Sequence, residues 1–484
     1  MSGRYLTVLC VLLAGMTVPL GCKSQVITVT VPSGPETGHP YSVLSYTSSA
    51  TSPSGDSVAI RFDWGDGDTS AWSGWLPSGG AASDSHSWSV ADTFLVRAQA
   101  KDADGHSSDW SNPLGVAIAA TWTKTFGGTA DDEGFAVVQA ADHGYVVAGH
   151  TYSYGTGAGD IYVIKTDAGG SQVWSNTFGS DGYDAGYAVA ATSDGYVIAG
   201  TSYNDGMGAS NASLIKVDSS GNRVWGRSYG FLGADVAFAV QPTSDGGYIL
   251  AGQTGFFSSG GSDVYLVKTD AEGNQLWYKN LGGPHNDVGR SVHQTGDGGY
   301  IILGETDTIG SGLSDMYLIK TDASGNQVWA RTFGGGGHNH GYSVQIASDG
   351  GYILAGQTEG GAGGGDVYLV KTDASGNQVW AKTYGGSQTD GAHSIQRTAD
   401  GGYIIAGMTA SFGAGMFDVY LLKIDANGDT VWTRTYGGAS SDVGDAVQVT
   451  SDGGYIVSGM TSSYGAGGND VWLIKTDAQG EVKP

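Results

Sequence analysis

Hydrophobic and polar positions along this chain fall into many short runs, each cut from the next by Gly, Asp, Ser or Asn. Runs this short, rich in Val, Ile and Tyr and bounded by turn residues, predict β-strands rather than helices. From residue 121 onward they come in a fixed order. Gly341-Tyr-Ser-Val-Gln345 is followed by the turn Ser348-Asp-Gly-Gly351 and by Tyr352-Ile-Leu-Ala-Gly-Gln-Thr358. A Gly-rich loop then leads to Asp366-Val-Tyr-Leu-Val-Lys-Thr372, and Asp373-Ala-Ser-Gly-Asn377 leads to Val379-Trp-Ala-Lys-Thr-Tyr384. Asp-Gly and Ser-Gly between apolar runs are hairpin signals. The order repeats with Trp122, Trp174, Trp225, Trp277, Trp329, Trp380 and Trp432, spaced by 51 or 52 residues. Four antiparallel strands per unit, repeated at a long fixed period, is the plan of a β-propeller blade. The seventh repeat ends without a fourth strand, while Trp122-Thr-Lys-Thr-Phe126 stands unclaimed before the first. The expectation is an all-β chain whose residues 121–484 form a seven-bladed β-propeller closed by an N-terminal strand, which removes the exposed edge.

Constants of the repeat are read as architecture. Lys165, Lys216, Lys268, Lys320, Lys371, Lys423 and Lys475 hold one position of the third strand, and an Asp follows two places on in every repeat. Tyr145 and its six equivalents recur in the second strand. A catalytic group is needed once, a contact between blades seven times, so these positions predict turn caps, paired lysines and packed aromatics. The unit resembles quinoprotein-like and kelch-like propeller repeats, and Asp373-Ala-Ser-Gly376 with Trp380 is similar to the tryptophan-docking motif of quinoproteins. The resemblance implies that each Trp wedges between adjacent blades. It implies a fold, not a function.

Residues 26–119 read differently. Alternating runs at Val26–Val31, Tyr41–Tyr46, Val58–Trp64, His86–Trp88 and Phe94–Ala100 predict a β-sandwich. Ile60-Arg-Phe-Asp-Trp-Gly-Asp-Gly67, Ser85-His-Ser-Trp88 and Val96–Gly105 resemble the PKD family, with Phe62 and Trp64 exchanging the usual aromatic order. The resemblance implies a spacer or adhesion module. Asp63, Asp66, Asp68, Asp102 and Asp104 are read as turn residues bonding their own backbone, with calcium ligation as the other reading.

Composition narrows the function classes. Glycine contributes 84 of 484 residues without a collagen triplet, and it clusters at the turns. The net charge of −25 excludes a phosphate-binding groove, so no nucleic-acid partner is expected. Cys10 and Cys22 are the two cysteines, and both lie in an N-terminal stretch with one Arg and an apolar core from Tyr5 to Met16. That core is too short to span a bilayer and fits a signal peptide over residues 1–21. Leu20-Gly21-Cys22 resembles a bacterial lipoprotein cleavage box. It implies lipidation of Cys22, a short linker over 22–25, and an exported protein anchored at the outer membrane or cell surface. A secreted or periplasmic product of ordinary cleavage is the alternative.

Candidate chemistry lies in the loops. Asp132, Asp184, Asp235, Asp287, Asn339, Asp390 and Asp442 recur ten residues after each Trp, in the fourth-to-first loops that share a propeller face with the second-to-third loops. They read either as caps of loop amides or as a ring that attracts a divalent cation or a basic partner. His285, His338, His340 and His393 fall in or beside three consecutive loops, and imidazole with carboxylate suits a transition metal. Tyr154, Phe256 and Phe257 stand on Gly-rich second-to-third loops, where exposed aromatics stack on sugars or contact protein. No nucleophile elbow, HExxH or phosphate loop occurs. The reading is a non-catalytic extracytoplasmic binding or scaffold lipoprotein with a protein or polysaccharide partner. The alternative is a propeller hydrolase, lyase or dehydrogenase with a metal-dependent site at the channel mouth.

Overall fold

The computed structural model describes residues 26–204, 209–230, 233–255, 261–360 and 363–482. The expected signal peptide, Cys22, Phe256 and Phe257 lie outside the described residues. The described secondary structure is all strand and turn, without a helix. The chain divides into two compact units, the first built mainly of residues up to 117 and the second mainly of 118–484.

In the first unit, a three-stranded sheet orders Thr28–Val29, Leu44–Thr51 and Ala81–His86. A four-stranded sheet orders Thr37–Gly38, Leu114–Ile118, Thr93–Asp102 and Val58–Asp63. Alternation along Thr93–Asp102 buries Phe94, Val96, Ala98 and Ala100 on one face. Phe62 and Trp64 stack with centroids 5.3 Å apart and are both buried, so the exchanged aromatic order still fills the core. The turn acids bond locally: Asp63 accepts the Gly65 amide, Asp66 the Asp68 amide, and Asp66 also meets His86 at 2.7 Å.

The second unit contains seven four-stranded sheets, a propeller-like arrangement. Six follow chain order, as in Asn339–Ile346, Tyr352–Thr358, Asp366–Thr372 and Gln378–Tyr384. The seventh joins Asp442–Val449, Tyr455–Thr461 and Asp470–Thr476 to Trp122–Phe126, with Lys475 opposite Trp122 and Val471 opposite Phe126. The first strand of each sheet packs on that of the next, and Asp442–Val449 packs on Asp132–Gln139. Second and third strands are buried nearly throughout, so they read as continuous apolar runs, while fourth strands are partly exposed.

Core clusters draw on two adjacent sheets at once. Ile353, Val367 and Leu369 of one pack with Ile395, Ile405 and Leu422 of the next. The tryptophans lie at the same seams. Trp329 packs tilted against Tyr352 with ring centroids 6.1 Å apart, and its ring covers Gly376, where a Cβ would stand 2.7 Å from the indole. Gly376 also sits at φ +78°, so both space and backbone demand glycine there. The third-strand lysines are buried, and each reaches an Asp in its own first hairpin, as Lys371 reaches Asp349 at 2.8 Å. Lys371 also donates to the Thr372 carbonyl at 2.9 Å. The Asp two places after each lysine instead caps the next turn, Asp373 accepting the amides of Ser375 and Asn377.

Candidate functional site

The recurring loop acids are buried inside loop junctions, none more than 1% exposed. Asp132 accepts the Gly128 amide at 2.8 Å and the Ser153 hydroxyl at 2.7 Å. Asp390 repeats this with Gly386 and Ser411, and Asp442 with Gly438 and Ser463. Asp287 accepts from Gly283 and Thr308, and Asp184 from the amides of Ser180 and Tyr203. Asp132, Asp287, Asp390 and Asp442 therefore tie the fourth-to-first loop to the second-to-third loop of their own repeat. Asn339 fills the same place, accepting the Thr358 hydroxyl at 2.6 Å. The seven side chains do not converge on one point; each belongs to its own junction.

A second carboxylate, from the preceding repeat, faces six of these seven positions. Asp160, Asp263, Asp315, Asp366, Asp418 and Asp470 open the third strands, with Asn211 in the remaining one, and all are buried. Asp418 accepts the Ala414 amide and Asp470 the Ala466 amide, which caps the second-to-third loop. The two acids face each other across the glycine that ends the fourth strand. A Cβ on Gly282 would stand 2.7 Å from Asp263 and 2.5 Å from Asp287. Gly127 separates Asp470 from Asp132 in the same way, and Gly385 separates Asp366 from Asp390. Burial, and then the neighbouring charge of Asp184, Asp287 or Asp132, pushes the carboxyls of Asp160, Asp263 and Asp470 above their ordinary range. Where Asn339 stands, its amide donates to Asp315 at 3.3 Å instead.

The candidate histidines find separate partners. His338 bonds Ser314 at 2.9 Å, His340 bonds Glu305, His393 bonds Asp445 at 3.1 Å, and the His285 amide donates to Thr308. His338 and His340 lie parallel with centroids 5.8 Å apart. Among the described residues, no three His, Cys, Asp or Glu side chains are grouped to hold a metal ion. Tyr154 leans on Tyr162, and its hydroxyl donates to the Gly127 carbonyl at 2.7 Å. Its counterparts Phe412 and Tyr464 lean on Tyr420 and Trp472. All three rings remain about half exposed.

A further set of residues, of which the sequence singles out His393 alone, occupies the first strands. Each first strand carries a β-bulge against the second, and the extra residue falls at the same place every time: Phe135, Tyr187, Phe238, Arg290, Tyr342, His393 and Asp445. A bulge frees one residue from the ladder and re-aims its side chain. Here the re-aimed side chains touch one another around the packed first strands. Phe135 meets Tyr187 at 5.1 Å and Tyr187 meets Phe238 at 5.2 Å. Arg290 lies over the Phe238 ring at 4.3 Å, Tyr342 stands edge-on to His393 at 5.3 Å, and His393 bonds Asp445. The row is partly accessible throughout.

Two charged groups flank this row. Arg290 pairs with Glu305 at 3.2 Å, and Glu305 also holds His340. The hydrogen bond to Glu305 raises the His340 imidazole above its usual range. Burial would raise Glu305, but the bond to His340 and the Arg290 charge outweigh it and hold that carboxyl low. Glu133 is raised by burial and then by the charge of Asp445.

No family model matches the chain. The regulatory protein FlaEY of Caulobacter vibrioides is 28% identical over 210 residues, covering 36% of this chain. The match spans 22% of that relative's length. Among solved structures, the PKD domain of an M14-like peptidase from Thermoplasmatales archaeon SCGC AB-540-F20 is 36% identical, over 19% of this chain and 92% of that one, with a TM-score of 0.17. The extracellular domain of a hybrid two component system from B. thetaiotaomicron is 12% identical over 81% of this chain and 46% of its own, with a TM-score of 0.42. An apocarotenoid oxygenase of Synechocystis is 10% identical over 80% of this chain and 92% of its own, with a TM-score of 0.35.

Proposed function

We propose that this chain is a non-catalytic extracytoplasmic binding or scaffold lipoprotein that presents a propeller loop face to a polysaccharide or protein partner. In this reading Cys22 carries the lipid and residues 26–119 form a PKD-like spacer. Residues 121–484 form a seven-bladed propeller closed by Trp122–Phe126. The pairing of that strand with Asp470–Thr476 supports closure, as does the packing of the seventh first strand on the first. Among the described residues no helix is long and apolar enough to cross a membrane, so any attachment in this reading goes through the lipid.

The observation that carries the reading is the display of apolar side chains on second-to-third loops whose ends are fixed by buried acids. Tyr154, Ile309, Leu313, Phe412, Met416 and Tyr464 are 45–68% exposed there. Rigid loops that hold large side chains in water suit recognition, because little ordering entropy remains to be lost on binding. Alanine at Tyr154, Phe412, Met416 and Tyr464 together is expected to abolish retention on a polysaccharide affinity gel or a protein-partner array. The melting temperature should fall by no more than a few degrees. Retention equal to wild type would sink the loop face as the binding surface.

A further inference from the structure

The row of bulged residues is a second site, distinct from the loop face. The seven repeats share Lys, Tyr and Asp at other positions, yet this position holds aromatic, cationic, imidazole and acidic groups. A position that varies this much within a constant strand is free of the demands of blade packing. Its variation is also ordered in space. Phe135, Tyr187 and Phe238 come from consecutive repeats and form one aromatic arc. Arg290 follows it, and Asp445 lies three repeats further on, nearly opposite in a cycle of seven.

Charge separates the same way. At the Arg290 end stand Arg290 and His340, both paired with Glu305, and the charge of Glu359 also reaches His340. The Arg290 Nε–H is buried and has no acceptor among the described residues, a cost that an incoming anion would remove. At the opposite end the charge of Asp445 reaches Glu133, and His393 pairs with Asp445. Glu133 otherwise receives only the Asn469 amide, at 3.2 Å. Two like carboxylates in a half-buried place are relieved by a cation.

We propose that the bulge row binds a zwitterion with separated ends, such as a short peptide or an ω-amino acid. Its carboxylate meets Arg290, its ammonium lies between Glu133 and Asp445, and its apolar body rests on the Phe135–Tyr187–Phe238 arc. Aromatic faces add to this at the ammonium end, since they attract cations as well as apolar surface. The two charged ends select against fatty acids and simple amines, each of which leaves one end of the site uncompensated.

The test is a thermal-shift series on the purified chain lacking its signal peptide, run from 4-aminobutyrate to 8-aminooctanoate and with glycyl-phenylalanine. Hexanoate and hexylamine serve as controls that each lack one end. The expected result is a rise of roughly 2 °C or more for at least one zwitterion, with the best chain length reporting the span of the site, and less than half that rise for either control. Arg290→Met and Asp445→Asn are each expected to abolish the rise. Phe135→Leu, which keeps both charged ends, should reduce it. The alanine variant of the four loop-face residues should leave it intact, which separates this site from the loop face. No rise with any zwitterion would overturn the proposal, as would equal rises for the controls. A response that survives both Arg290→Met and Asp445→Asn, or one lost in the loop-face variant, would overturn it too.

Discussion

Replacing Asp470 by Asn tests the paired acids at the junction where the seventh repeat meets the first. Asp470 is buried and accepts the Ala466 amide, and Asp132 faces it across Gly127, close enough that a Cβ there would touch both. The two carboxylates therefore lie within about 5 Å, where like charges at an effective dielectric of ~20 repel by about 3 kcal/mol. An Asn side chain keeps an oxygen for Ala466 and turns an amide toward Asp132, as Asn339 does toward Asp315 at 3.3 Å. Allowing for relaxation, the gain at neutral pH should be about 1–3 kcal/mol, which for a unit the size of the second one is roughly 1–4 °C in melting temperature. The sign with pH follows from the raised carboxyl of Asp470. A raised acid costs its full penalty above the folded-state value, and nothing below the unfolded value near ~3.9. The advantage of Asp470→Asn should accordingly be larger at pH 7 and vanish by about pH 4. Calorimetric melts at both pH values, with EDTA and with calcium, provide the check. No gain at pH 7, or a gain unchanged at pH 4, would refute the repulsion. A melting point that EDTA lowers in wild type, joined to a loss in Asp470→Asn, would show that the pair holds a cation instead.

Two other expectations follow from the constants of the repeat. Asp349→Ala strands the buried Lys371 with one carbonyl acceptor and should cost about 1–2 kcal/mol, less than a fully buried pair because Asp349 faces solvent; adding Lys371→Met should recover most of it in a denaturation series. The equivalent Asp297, held down first by Thr295 and then by Lys320, ionises at about 2, so its contribution should be full above the ordinary carboxylate value of about 3.9 and be lost progressively as pH falls from there through about 2. Deleting residues up to Phe126 removes the partner of Asp470–Thr476 and exposes its edge. Size-exclusion chromatography should then show association or aggregation, and a stable monomer with an unchanged melting point would contradict that role for the strand.

What the sequence revealed and what it concealed divide along one physical line. Features that must be made seven times were legible. The tryptophan period, the hairpin turns and the third strand Asp366–Thr372 follow from local chemistry, and the unclaimed Trp122–Phe126 finds its place beside the last repeat. Function was sought in the loops, where the residues differ most visibly, and there His338, His340 and His393 take separate partners. The paired acids were half seen. The loop column was noted, but the facing column at Asp160 and its equivalents opens an apolar strand, where an acid reads as a strand boundary. The bulge row was missed because a bulge breaks the two-residue period of the strand. A period-two reading of Gly341-Tyr-Ser-Val-Gln345 places Tyr342 on one face with Val344, whereas the extra residue is turned out of the ladder between Gly341 and Ser343. The signal was nonetheless present. Aligned by their tryptophans, the first strands keep small residues on either side of one column, and that column alone passes from Phe through Arg to Asp. In a repeat protein the constant columns describe how the chain folds. A column that varies inside a constant strand is where selection had chemistry left to choose.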